Sequence, residues 1–397
     1  MHAIYIISII LISIGVTLFL LSFIFEYTRK QNLKKRTVKD YAIIIPARNE
    51  SKVIKNLLDS IKLQNPNMNN VYVIIEDKKD ETVKIVKEYG GNIYVRKNIE
   101  NRRRKGYALD ECLKDILKKK HYDLYFIMDA DNILGKNFIS EMLKTYKKGY
   151  DIATSYRNIK NSSNIISSCS GLTFSFMNSL FNEYNNHMHK SMIISGTGFY
   201  ISGELVEKLN GYPFHSLTED YELTLYAEAN NISSYYNKNA IFYDEQPTKM
   251  KDSIKQRTRW VKGFLEARKT RLKDIKDDYS KLMGIIPYLF IIIGIAILFI
   301  TNFSLSIHYL IKSNNLFFTT FKSCINILLI AYLLLAGLTF YVILKENNKL
   351  NMTLKYKILS CLYNPIFLST YIYCFIKALV TKNVAWEEIK HEKTQID

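Results

Sequence analysis

The sequence predicts an α/β domain, a mostly parallel sheet flanked by helices, set between N-terminal and C-terminal transmembrane helices. Three observations carry this. Between residue 40 and about residue 265, short apolar runs alternate with amphipathic stretches in a strand–helix–strand rhythm. Long charge-free stretches lie at the two ends, so a mean hydropathy of −0.07 conceals apolar ends around a charged middle. Lys and Arg number 55 against 37 Asp and Glu, a net charge of +18, and the bases gather beside the apolar stretches.

The first apolar stretch, Ala3 to Phe25, is long enough to cross about 30 Å of hydrocarbon as a helix. Its bases follow it (Arg29, Lys30, Lys34, Lys35, Arg36, Lys39), unlike a signal peptide, which begins with them. The expectation is an uncleaved anchor over residues 1–28, N-terminus outside and the chain from residue 30 in the cytosol. Next, Tyr41 to Ile45 reads as a buried strand stopped by Pro46. Glu50 to Leu63 has helical spacing through Val53, Ile54, Leu57, Leu58 and Ile61. Val71 to Ile75, Ile93 to Val95 and Leu124 to Met128 read as further strands. Thr82 to Tyr89 and Tyr107 to Leu117 read as the helices between them. The cytosolic domain is placed at 40–265, a basic interfacial linker at 266–281, a membrane region at 282–380 and a tail at 381–397. Within the membrane region the apolar segments are 282–311, 323–344 and 358–376. Asn364-Pro365 interrupts the third, which spans, or alternatively re-enters or lies in the interface with Trp386 as anchor. A multi-pass protein of the cell membrane is expected.

Composition narrows the partners. A hydrophobic fraction of 48% is too high for disorder, and 6 Pro with 15 Gly exclude collagen-like chains. The basic excess suits nucleic acid or the positive-inside rule; the apolar spans independently require the second, so no nucleic-acid partner is expected. Five Cys at irregular spacing, with no CxxC, read as reduced, buried thiols.

Ligands of parallel sheets sit beyond the carboxyl ends of the strands. Three polar clusters fall there: Arg48-Asn49-Glu50, Glu76-Asp77 and Asp129-Ala130-Asp131. Two carboxylates on alternate residues can share one hard cation, or simply form a solvated turn. Thr218-Glu219-Asp220 opens a helix, either as an N-cap with acids in the first turn or as a general base near a cation. Lys105-Gly106 reads as a solvated basic face or as a phosphate-binding cation beside a close backbone approach. Gln256-Arg257-Thr258-Arg259-Trp260 combines planar cations with an indole, suiting phosphate and a sugar ring, or an interfacial helix with an aromatic anchor. Ser195-Gly-Thr-Gly198 lacks the context of a dinucleotide loop and reads as a tight loop under a substrate.

In this order the pieces resemble the family-2 glycosyltransferases, and within them the membrane-embedded inverting synthases of cellulose, hyaluronan and poly-N-acetylglucosamine and the ceramide glucosyltransferases. The resemblance rests on Ile45-Pro-Ala-Arg-Asn-Glu50, Glu76-Asp77, Lys105-Gly-Tyr-Ala-Leu109, Asp129-Ala-Asp131, Ser195-Gly-Thr-Gly-Phe199, Leu217-Thr-Glu-Asp220 and Gln256-Arg-Thr-Arg-Trp260. It implies a GT-A fold and a UDP-sugar donor. It implies that Asp77 and the loop of Ala47, Arg48 and Glu50 hold the uridine, that Lys105 and Asp129 help hold the donor, and that Asp131, with Asp129, ligates Mg²⁺ or Mn²⁺. Asp220 would be the base with Glu219 beside it. Gln256, Arg257, Arg259 and Trp260 would hold the diphosphate and the acceptor end. The implied partners are a polysaccharide or lipid acceptor, membrane lipid and a small accessory membrane subunit. Lys78-Lys79 depart from the family's small polar residues after Asp77.

Overall fold

A computed structural model describes residues 2–25, 33–100, 102–271, 286–312 and 315–381. The chain divides into two compact units. One joins Gln31–Leu272 to Tyr341–Asp397, and the other joins Met1–Lys30 to Lys273–Phe340.

The larger unit holds an eight-stranded sheet. Its strands are β1 (Tyr41–Pro46), β2 (Val71–Ile75), β3 (Asn92–Val95), β4 (Leu124–Ile127), β5 (Ile133–Leu134), β6 (Ile152–Ile159), β7 (Phe199–Ser202) and β8 (Ser234–Asp244), in the order β3-β2-β1-β4-β7-β6-β8-β5. The first four pair in parallel, as the sequence rhythm requires. Beyond β4 the sheet is mixed: β7 runs antiparallel to β4 and β6, while β8 is parallel to β6 and antiparallel to β5. Alternate residues of β1 feed opposite cores. Ile43 and Ile45 face one helical layer and Ala42 and Ile44 the other. The first layer contains α2 (Ile54–Lys62), α3 (Thr82–Glu88) and α5 (Phe138–Lys147), and the second α4 (Lys105–Leu117), α8 (Gly203–Lys208) and α9 (Glu219–Ala229).

Gly106, in the first turn of α4, has a different reason from the phosphate approach read in the sequence. A Cβ there would lie 1.9 Å from the Phe214 carbonyl oxygen. The glycine lets α4 rest on the backbone just before α9, which brings Lys105 toward Asp220. Gly106→Ala should destabilise the domain by about 3 kcal/mol, the upper end for overpacking against rigid backbone; a thermal melt of the purified variant checks this.

Between the layers and the chain's end run α6 (Ile165–Phe176), a π-helical stretch (Met177–Asn182), α7 (Glu183–His187) and α10 (Met250–Thr270). α10 carries the Gln256–Trp260 motif. Three later helices, α11 (Ile286–Ile311), α12 (Leu316–Lys345) and α13 (Leu354–Val380), are long and apolar enough to cross a membrane. Pro365 does not break α13 as the sequence suggested, because α6 and α10 pack along it and support the backbone where the proline removes a donor. The contacts follow its whole length. Tyr356 Oη donates to Ser163 O (2.7 Å) near one end, and Lys262 Nζ donates to Thr381 O (2.9 Å) at the other.

In the smaller unit α1 (His2–Phe25) lies antiparallel to α11. Tyr5 Oη donates to Asn302 Oδ1 (2.9 Å), while Gly294 sits so close to α1 that a Cβ would be 2.9 Å from Ser8 O. Small residues and a shared polar pair are how helices associate in lipid. The linker expected at 266–281 begins inside α10, which runs to Thr270, and from 272 on lies outside the described residues, as does the tail expected at 381–397 from 382 on, with Trp386. All five cysteines are free, four of them buried and Cys361 half-buried.

Candidate active site

The parallel strands β2, β1 and β4 stand side by side, so the turns that follow them share one edge. After β1, Ala47 N–H donates to Ile74 O (2.8 Å) and extends the pairing with β2. Arg48 then meets Glu76 at 3.3 Å, and Asn49, in the left-handed region at φ 58°, donates its N–H to Asp80 Oδ2 (2.8 Å). The Glu50 carbonyl accepts the first amides of α2. After β2, Asp77 is exposed and accepts the Lys79 N–H at 2.9 Å. The two turns expected from the sequence to hold a uridine therefore touch through Arg48–Glu76 and Asn49–Asp80, while the Asp77 carboxylate folds back on its own turn.

A cluster of charged groups forms around Lys105. Its ammonium donates to Asp129 Oδ1 and to Gly196 O (2.6 Å), with Glu219 Oε1 at 3.9 Å. Gly196, at φ 82°, leaves space beside the Asp220 carboxylate, since a Cβ there would lie 3.4 Å from Oδ2. The first turn of α4, the turn after β4, the Ser195–Gly198 loop and the first turn of α9 thus converge. Burial pushes the Glu219 and Asp220 carboxyls above their ordinary range, with Lys105 opposing the shift in both. Burial works to lower the Lys105 ammonium, but Asp129 and Glu219 outweigh it and hold the ammonium above its usual value. Glu219 is only 6% exposed, whereas Asp220 is partly open. Of the two, Asp220 is therefore the more accessible carboxylate.

Thr218 stands at the N-cap of α9, but its hydroxyl makes no capping bond. Glu222 instead accepts the His215 and Ser216 N–H groups, both at 3.0 Å. Thr218 is pressed against Gly263 of α10, where a Cβ would be 2.5 Å from Thr218 Cγ2. That close approach brings α10 against α9.

On α10 the motif divides. Burial lowers the Arg259 guanidinium pKa while Glu219, Asp129 and Asp220 raise it, so Arg259 lies within electrostatic reach of these acids. Trp260 meets Phe174 edge-to-face at 5.6 Å. Gln256 Oε1 is enclosed without a hydrogen-bond partner. Arg257 turns the other way, about 200° around the helix from Arg259. It is fully buried, donating to Phe367 O (3.1 Å) and Thr370 Oγ1 (2.7 Å), with its guanidinium over the Phe367 and Tyr371 rings. The geometry thus ties Arg257 to α13 and not to the diphosphate assigned to it from sequence.

Asp131 is flanked by Asn132, whose amide donates to Asp131 Oδ1 (3.2 Å), and by Lys160 Nζ, 3.3 Å from the Asp131 carbonyl oxygen. Among the described residues no three His, Cys, Asp or Glu side chains gather as a metal cage. Asp129 and Asp131 instead form an open carboxylate edge. Mg²⁺ and Mn²⁺ fit such an edge, because they commonly take one or two carboxylates and complete their shell with substrate phosphate.

Sequence reasoning missed Arg157, Asn132 and Asp244 beneath this edge, and read Thr197 only as part of the Ser195–Gly198 loop. A signal was present: Arg157 interrupts Ile152–Ile159, a strand buried at every position. A cation there requires a buried partner.

Residues 39–263 match the model of the glycosyltransferase-like family 2. The chain belongs to this family. Two curated relatives are each 24% identical. One is a probable glycosyltransferase of Bacillus subtilis, YdaM, over 59% of this chain and 57% of its own; the other is a probable glycosyltransferase of Sulfolobus acidocaldarius, over 66% and 58%. The chain thus spans less than two thirds of these relatives. The mannosyltransferase PcManGT of Pyrobaculum calidifontis, solved with GDP-Man and Mn²⁺, shares the fold with a TM-score of 0.60 at 13% identity, over 96% of this chain and 100% of its own. This member of the family therefore carries a GT-A-like domain with a mixed sheet, together with apolar helices long enough to cross a membrane.

Proposed function

We propose that this glycosyltransferase is an inverting hexosyltransferase of the membrane-embedded synthase type. It moves glucose or N-acetylglucosamine from its UDP-sugar to a growing polysaccharide at the cytosolic face of the cell membrane. The observation that carries the reading is the meeting of Asp220 with Lys105, Asp129 and Glu219 at the edge of the parallel sheet. Inversion asks for one in-line attack, one base and a stabilised leaving group. Asp220 takes the proton of the acceptor hydroxyl. Glu219, buried beside it, keeps Lys105 in place, and Lys105 and Arg259 present positive charge to the donor diphosphate. Asp131 and Asp129 would hold Mg²⁺ or Mn²⁺, which supplies Lewis-acid neutralisation of the departing diphosphate. The turns at Ala47–Glu50 and Asp77 take the nucleoside, and Gln256 and Trp260 take the acceptor end.

A second reading, transfer of one sugar to a membrane lipid, is favoured by α13. This apolar helix packs on α10 and α6, the helices that carry Trp260 and its partner Phe174.

A donor screen in detergent tests both, using UDP-glucose, UDP-N-acetylglucosamine and GDP-mannose with and without Mn²⁺. One UDP-sugar should give high-molecular-weight product, and EDTA should reduce turnover by about 100-fold or more. A solvent-extractable product bearing one sugar would select the lipid reading. Undiminished turnover in EDTA would remove the metal.

A further inference from the structure

Under the Asp129–Asp131 turn lies a second, almost dry polar layer. Asn132 and Thr197 are both 0% exposed, Asp244 3% and Arg157 8%. The layer begins at β8, whose last residue, Asp244, shares its two oxygens completely. Oδ1 accepts the Asn132 amide (2.9 Å), and Oδ2 accepts Arg157 Nε (3.0 Å), Arg157 Nη2 (2.5 Å) and Gln246 Nε2 (2.6 Å). Arg157 spends its remaining nitrogen, Nη1, on the Ser195 carbonyl (2.7 Å), one residue before the carbonyl that accepts Lys105. Asn132 passes the contact upward. Its amide also reaches Asp131 Oδ1, and its own oxygen accepts from Thr197 Oγ1 and from the Asp129 N–H (3.2 Å).

We propose that Arg157 and Asp244 are a positioning pair. They hold the Asp131 carboxylate and the Ser195–Gly196 carbonyls in the spacing that a divalent cation and Lys105 require. Two physical points support this over a simple tie between strands. First, β6 and β8 are already joined by a ladder that resumes after an irregularity at Ser155/Tyr156. Such an irregularity re-aims the side chains that follow it, and Arg157 is the second of these. Its bonds leave the ladder and end on the site. Second, a buried ion pair contributes little stability compared with apolar residues of the same size, so its value lies in geometry. The pair also reaches the acceptor side: the Arg157 guanidinium lies 3.6 Å over the Phe174 ring, which meets Trp260.

The inference rests on the metal part of the proposed function. Its test is therefore cation binding, read without turnover. Mn²⁺ would be titrated into the full chain in detergent with UDP present and followed by electron paramagnetic resonance, with a thermal melt of each protein. Asp244→Asn should weaken Mn²⁺ binding by about 10-fold or more, the range typical of groups that orient metal ligands. The double variant Arg157→Gln/Asp244→Asn, which leaves no lone buried charge, should regain most of the melting temperature but not the Mn²⁺ affinity. Parental Mn²⁺ binding in Asp244→Asn, recovery of affinity in the double variant, or failure of the double variant to fold would each reduce the pair to a structural tie and overturn the proposal. A parent protein that binds no Mn²⁺ with UDP would remove the metal reading and this inference together, whereas normal parental binding with unaffected variants removes this inference alone.

Discussion

Asp220→Asn should remove sugar transfer while leaving a folded protein, with turnover falling by about 10²–10⁴, the usual contribution of a positioned general base. The substitution keeps the shape and removes the proton acceptor from a carboxylate that is partly open and next to the Gly196 loop. Because burial raises the Asp220 pKa, the acid limb of the wild-type kcat profile should lie above the ordinary carboxylate range. The sign follows from the role. A base works when deprotonated, so activity is present above the raised pKa and disappears as pH falls through it. Initial rates across pH, for wild type and variant, check both points. Wild-type turnover in Asp220→Asn would move the base elsewhere, and an unshifted acid limb would deny its burial.

Lys105→Met should have the second largest effect, on stability as well as rate. The lysine is the shared cation of Asp129 and Glu219. Removing one partner of a buried ion pair costs about 3–5 kcal/mol; the lower end applies, because a fifth of the Lys105 side chain remains exposed. The loss should depend on pH. Without Lys105 the largest opposition to the burial that already raises Glu219 is gone, so its folded-state pKa stands further above its unfolded value. A carboxyl raised in this way destabilises the fold as pH climbs from the unfolded pKa toward the folded one. Wild-type Glu219 is itself raised to about 8, so below that pH it is protonated in both folded proteins and the deficit is constant. The deficit should widen as pH rises through about 8, where only the wild type gains an ionised Glu219 beside Lys105. Melting temperatures of wild type and variant from neutral to alkaline pH measure it, and a constant difference across that range would show that Glu219 is not paired with Lys105.

The first half of the domain was legible because its signals are local. Continuous apolar runs such as Tyr41–Ile45 and Val71–Ile75 became strands at nearly the same residues, and Thr82 and Leu117 bound helices close to where the pattern put them. The polar clusters at the strand ends were visible for the same reason, since polarity interrupts an apolar run at a definite residue. After residue 150 the order of strands was not legible. β7 enters between β4 and β6 as an antiparallel strand, and hairpin or crossover partners chosen at that distance leave no periodic trace.

The sequence alone determined an α/β domain between apolar segments, with acids and a Gln-x-x-Arg-Trp helix in a fixed order, because hydrophobic period and charge placement are properties of neighbouring residues. Only the tertiary structure decided which charges meet. It joined Lys105 to a carbonyl 91 residues away, sent Arg259 toward the acids and Arg257 toward α13, and put Arg157 on Asp244. A buried charge has to find a partner or lose its ionisation. Which partner it finds depends on sheet order and helix packing, and these are fixed only when the whole domain closes.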